Sequence, residues 1–102
     1  MSADFCLITG AKGLDPIQVF WVDERPGVGS VTITCYGSAW TAWFGAMSDQ
    51  TIREFFAKAD AGYLFTNLGI TRYLTKAKHH EVYLSKIIEA VKESLKPKAG
   101  PQ

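Results

Sequence analysis

Cysteine is scarce, with Cys6 and Cys35 the only two among 102 residues, and neither sits in a CxxC or Cys/His spacing. That argues against a zinc ribbon and against a disulfide-dense scaffold. Each thiol lies in an apolar, strand-like stretch, where free cysteine behaves as a small buried hydrophobe; one disulfide between neighbouring strands is the alternative. No apolar run approaches the roughly 20 residues of a membrane span, so no membrane partner is expected. The opening Met1-Ser2-Ala3-Asp4-Phe5 has no basic and then apolar leader, from which a cytoplasmic location is expected. A surplus of charge is missing too: the net charge is +1 and the pI about 7.8, which argues against a dedicated polyanion binder.

Catalytic signatures are equally sparse. Ser30, Ser38, Ser48, Ser85 and Ser94 sit in no Gly-x-Ser-x-Gly elbow, and Gly10-Ala11-Lys12-Gly13 has neither the glycine spacing nor the Lys-Ser/Thr of a phosphate loop. His79 and His80 are adjacent, so on a helix their imidazoles point about 100° apart and do not readily hold one ion. The expectation is no enzyme, no cofactor and no metal.

What remains is ordinary globular composition, 47% hydrophobic and 21% charged, with three Trp, four Tyr and six Phe to build a core. The two halves differ in period. Asp4–Thr9 and Ile17–Val22 are apolar and rich in β-branched and aromatic residues, and Ser30–Tyr36 alternates with Val31, Ile33 and Cys35 in phase. Residues 23–29, with Pro26 and Gly27, read as the turn of a hairpin, and Gly37-Ser38 as a second tight turn. Ala39–Phe44 then reads as a strand with Trp40, Ala42 and Phe44 on one face and Thr41 and Trp43 on the other. Helical spacing begins after Ser48 and Asp49, both good N-caps, with Ile52, Phe55, Phe56 and Ala59 forming a stripe. A short turn follows from Asp60 to Asn67, with Gly69 as its stop. From about Thr75 to Lys96, Leu84, Ile87, Ile88, Val91 and Leu95 share one face, and Pro97 ends the run. Strands followed by helices predict an α+β domain over residues 1–97. Its antiparallel meander of three to four strands carries two or three helices on one face, and 98–102 form a polar tail.

Alternation along strands makes the aromatics informative. Phe20, Trp21, Tyr36, Trp40, Trp43 and Phe44 cannot all face the helices; with Trp40 and Phe44 inward, Trp43 points outward, as does one of Phe20 and Trp21. Trp21, Tyr36 and Trp43 are therefore the candidate binding aromatics. Arg72, Lys76 and Lys78 form a basic cluster at the start of the last helix, where positive charge opposes the helix dipole, and they join the candidate set. Such a surface suits a protein hot spot or stacked bases; the competing reading has it covered by another segment or by a homodimer partner.

The run from Gly29 to Met47 (Gly-Ser-Val-Thr-Ile-Thr-Cys-Tyr-Gly-Ser-Ala-Trp-Thr-Ala-Trp-Phe-Gly-Ala-Met), with Thr51–Phe56 and Gly62–Leu64, resembles a family of small uncharacterised accessory proteins of tailed bacteriophages and prophages. The resemblance spans about residues 17–70. It implies a bacterial cytoplasm and a phage accessory role, and supplies no catalytic residues. The expected function is non-enzymatic binding of a host or phage protein, inhibition of host defence included. The alternative is single-stranded nucleic-acid binding or a recombination accessory role, through the aromatics and the basic cluster. Because Trp40 and Trp43 occupy opposite faces of one strand, Trp40→Ala is expected to lower unfolding stability by roughly 3–5 kcal/mol and Trp43→Ala by clearly less, in urea titrations.

Overall fold

The computed structural model describes residues 1–69 and 78–96. Four strands, β1 (Ser2–Ile8), β2 (Ile17–Arg25), β3 (Val28–Cys35) and β4 (Ser38–Phe44), precede three helices, α1 (Ile52–Lys58), α2 (Ala61–Gly69) and α3 (Lys78–Leu95). The strands pair in sequence order as an antiparallel meander, so the expected α+β architecture is the observed one. The basic cluster is only partly within it: Arg72 and Lys76 lie outside the described residues, while Lys78 opens α3.

The first hairpin is tighter than the sequence reading allowed. β2 runs on to Arg25 and β3 starts at Val28, leaving Pro26 and Gly27 as the turn. Gly27 has φ +82°, and the Ser48 carbonyl fills the space a Cβ would need there. Two backbone bonds seal this contact: Met47 N–H donates to Gly27 O at 3.0 Å and Gly27 N–H to Gln50 O at 3.3 Å. Ser48, with φ 58°, thus belongs to a loop tied to the hairpin tip and does not start α1. The cap is Thr51, extended at φ −76° and ψ 164°, which forms a reciprocal capping box with Glu54.

The second turn corrects the placement of Tyr36. Tyr36 (φ 51°) and Gly37 (φ 80°) are both left-handed, as a two-residue type I′ turn requires, so Tyr36 stands at a hairpin tip and not on the sheet face.

Helices and sheet enclose one core. Ile17, Val19 and Trp21 of β2, Val31, Ile33 and Cys35 of β3, and Trp40, Ala42 and Phe44 of β4 point to one side. They meet Ile52 and Phe56 of α1, Leu64 and Leu68 of α2, and Leu84, Ile87, Ile88 and Val91 of α3. No helix among the described residues is long and apolar enough to cross a membrane.

Polar bonds stitch these layers together. Asp23 Oδ1 accepts from the Ile52 N–H at 2.7 Å, which fixes the start of α1 on β2. At its other end, Lys92 Nζ of α3 donates to the carbonyls of Phe56, Ala57 and Ala59 at 3.1, 2.9 and 2.6 Å. A cation there satisfies carbonyls that a short helix leaves orphaned and complements its dipole. Both cysteines are free, Cys35 buried and Cys6 half-buried. Cys35 Sγ lies 3.5 Å from the Asp15 carbonyl, to which it donates, and 3.1 Å from the Tyr83 hydroxyl, which donates to the sulfur.

That hydrogen bond, reinforced by burial, pushes the Tyr83 phenol up from 10.0 to about 12. A raised folded-state value means the neutral phenol stabilises the fold fully below pH 10, and that this contribution is lost as pH rises from 10 towards 12. The stability advantage of wild type over Tyr83→Phe is therefore expected to shrink across that window in urea titrations, while titrating lysines affect both proteins alike.

Candidate functional site

Strand pairing sorts the outward side chains into a lattice of three per strand. One row runs Ala3, Val22, Ser30, Trp43; the middle row Phe5, Phe20, Thr32, Thr41; the third Leu7, Gln18, Thr34, Ala39. None of these side chains carries a charge, although charged residues make up 21% of the chain. Phe5 is 48% exposed, Leu7 53%, Phe20 40% and Trp43 60%. Phe5 and Phe20 are cross-strand partners with ring centroids 5.1 Å apart.

β1 is the unexpected member of this surface. Its register with β2 turns Phe5 and Leu7 outward, and turns Asp4, Cys6 and Ile8 towards the side that carries the helices. Phe5, the largest apolar residue of the strand, and Leu7 thus face away from the core, while Cys6 and Ile8 pack against it. Asp4 sits opposite Trp21 and meets the Arg53 guanidinium of α1 at 2.8 Å, an exposed ion pair that ties the edge strand to α1.

Trp21 itself is corrected from binding residue to core residue. Only 1% exposed, it packs edge-on against Phe56 at 5.4 Å, with the Arg53 guanidinium 5.7 Å from its ring centre. The physical reason is phase: Trp21 alternates with Ile17 and Val19, whereas Phe20 alternates with the polar Gln18 and faces outward. Phe20 therefore takes the place assigned to Trp21, and Gln18 was the signal that could have shown it. Phe5 and Leu7 had no comparable signal, because nothing in residues 4–9 says which apolar set faces the helices.

Trp43 is where the sequence placed it, and it is held. Its indole N–H donates to Glu24 Oε2 at 3.2 Å, and a Cβ at Gly45 would overlap its six-membered ring. The hydroxyls beside it are also engaged. Thr32 and Thr41 hydroxyls pair at 3.0 Å, and Thr34 donates to Gln18 Oε1 at 2.9 Å. Tyr36 does not join Trp43: the Cys35–Ser38 and Ser30–Trp43 rungs are five residues apart along β3, about 17 Å. The candidate set thus splits into an aromatic sheet face with Trp43, an isolated turn residue Tyr36, a core residue Trp21, and basic residues for which no contact with that face is described.

On the helical side, an open groove runs between the β1–β2 loop and α3, lined by Lys12, Leu14, Phe65, Val82, Lys86 and Glu89. Among the described residues no three His, Cys, Asp or Glu side chains come together as a metal site.

The fold and this face define a small two-layer α+β protein whose sheet, among the described residues, is covered on one side only. By sequence, residues 3–74 match the model of a phage protein family, described as "Phage family", and the chain belongs to that family. No curated protein and no solved structure matches the chain.

The restraint on Trp43 has a measurable consequence. Of the three tryptophans only Trp43 is exposed, so acrylamide is expected to quench a single, separable fraction of the emission, absent in Trp43→Phe. Gly45→Ala displaces the indole and breaks its bond to Glu24; the quenchable fraction shifts while the thermal midpoint changes little.

Proposed function

We propose that this phage protein is a non-enzymatic binding module whose open sheet face engages a host or phage protein in the bacterial cytoplasm. Inhibition of a host defence protein is the form of host interaction carried forward. The observation that supports it is the uncharged outward lattice with Phe5, Leu7, Phe20 and Trp43 substantially exposed on it. An antiparallel sheet with one wet face normally presents polar and charged residues there. Depletion of charge and enrichment in aromatics is instead the composition of an interface centre. A fixed indole adds to the argument, because a preorganised aromatic anchor loses little entropy on binding.

Single-stranded nucleic acid is the weaker reading. Bases could stack on Phe20 and Trp43, but the Glu24 carboxylate accepts from the indole of Trp43 and places negative charge where a phosphate backbone would run.

The test compares tagged wild type with a Phe20→Thr/Trp43→Thr double variant, both expressed in a bacterial host and recovered at physiological salt. Threonine keeps β propensity, so the variant is expected to retain its circular dichroism and thermal midpoint. At least one protein is expected to be captured by wild type and reduced about thirtyfold or more in the variant, the effect of losing ~2 kcal/mol at a hot spot. Equal capture by both overturns the proposal. Oligonucleotide binding that depends on the same two residues and falls steeply with salt would replace it with the nucleic-acid reading.

A further inference from the structure

We infer that the protein engaged by the open face is a second copy of this chain, docked face to face about a two-fold axis. The axis runs across the strands, along the row Phe5–Phe20–Thr32–Thr41. The inference rests on the reading of this face as a protein-binding surface and names its occupant.

The lattice is complementary to itself under that operation. Rotation about the middle row lays Phe5 on Phe5, Phe20 on Phe20 and Thr32 on Thr32 of the two copies, and exchanges the outer rows. Trp43, the largest side chain of the lattice, then meets Ala39, and Leu7 meets Ala3. Large side chains thus meet small ones at both corners, and between them Phe5 and Phe20 each meet their own counterpart, an aromatic pairing along the axis. A two-fold contact must use the same patch on both copies, and a patch of mixed charge would set like charges together unless its pattern alternated. The twelve side chains of the lattice oppose no charge to any other, since they have none; Glu24, bonded to Trp43, stands at the margin outside the lattice.

Burial of its polar half is also prepared. The Thr32–Thr41 and Thr34–Gln18 bonds and the Trp43–Glu24 bond satisfy donors within one copy. Burying a hydroxyl costs much less when its hydrogen bond is already made. The size fits as well. Strands about 4.8 Å apart and residues about 3.3 Å apart give the face a footprint near 19 by 20 Å. In projection two such faces span roughly 760 Å², and the protruding Phe5, Leu7, Phe20 and Trp43 raise the accessible area above that projection, towards the lower end of specific interfaces.

The edge of β1 offers another symmetric contact, and its chemistry opposes one. Asp4 is an inward-pointing charge held by Arg53 at the open edge, a device that keeps edge strands from pairing. The edge is guarded while the face is not.

The experiment is sedimentation velocity on the full untagged chain from roughly 1 µM to 1 mM, a span that covers weak and moderate association. Wild type is expected to move with concentration from 11.3 kDa towards twice that mass. Thr32 faces its own counterpart, so Thr32→Lys and Thr32→Glu should each weaken association a hundredfold or more. An equimolar mixture of the two should restore it as a heterodimer. If either variant fails to fold by circular dichroism, the pair Thr41→Lys and Thr41→Glu makes the same test on the exposed edge strand. Monomeric wild type throughout, or a dimer that persists in both charge variants, or a mixture that stays monomeric, each overturns the inference. Monomeric wild type combined with the loss of a captured protein in Phe20→Thr/Trp43→Thr overturns only the second-copy occupant and leaves the docking face standing.

Discussion

A strand offers its neighbours two faces and no third, and among the described residues the helices lie against one of them only. Every side chain of the meander is committed by that constraint. Ile17, Val19 and Trp21 go to the core together, and Gln18, Phe20 and Val22 leave it together. Moving any strand by one residue would exchange the two sets. The core set is closely specified, with nearly all its members almost fully buried. The outward set is specified just as firmly by the same hydrogen bonds, although the helix layer does not contact it. Exposure of Phe5, Leu7, Phe20 and Trp43 is therefore a consequence of register and not of loose packing.

Where a strand carried its own polar marker, its orientation was legible in the sequence. Thr32 and Thr34 placed Val31, Ile33 and Cys35 inward, and Thr41 placed Trp40 and Phe44 inward and Trp43 outward. The order of strands and helices, and the stripe of α3, followed from a change of period that no other arrangement of these residues explains. Trp21 goes to the core and Phe20 away from it because Gln18 sets the phase of β2, which hydrophobic bulk alone does not reveal. Tyr36 leaves the face because the alternation of Ser30–Cys35 ends one residue before it, in a turn whose left-handed φ values a single sequence does not announce. Phe5 and Leu7 were beyond reach for a deeper reason: β1 is an edge strand that contributes little to the core, and its orientation is dictated by pairing with β2. The cap of α1 went to Thr51 and not to Ser48 or Asp49 because the preceding loop is bonded to the Pro26-Gly27 turn, a contact between residues about twenty positions apart.

Charge is distributed to match this division. The first half of the chain carries two basic side chains against five acidic, the second half nine against five. Asp4, Asp23 and Glu24 sit at the margin of the sheet, and two of them are used internally, by Arg53 and by the backbone of Ile52. Glu24 alone turns to the open face, where it fixes Trp43. The acidic half is thus spent on holding elements in place around an uncharged centre. The Glu24 carboxylate beside the aromatic surface disfavours polyanions by direct repulsion and leaves apolar contact as the main attraction that face offers.

Whether such a face can bind depends on whether it keeps its shape, and the helix layer decides that. α1 is only seven residues long, too short to persist alone in water. It is held by the capping box and by Asp23 at its start, and by Lys92 of α3 at its end. One carboxylate of β2 and one ammonium of α3 thereby lock sheet, short helix and long helix into a single body. Through the Pro26-Gly27 turn, the loop before α1 also pins the end of the β2–β3 hairpin that lies next to the Trp43–Ser30 rung. The open face is then backed by a layer that resists bending, so a partner meeting it orders few new degrees of freedom. Preorganisation of this kind, more than the area of the patch, lets a surface of modest size reach specific affinity.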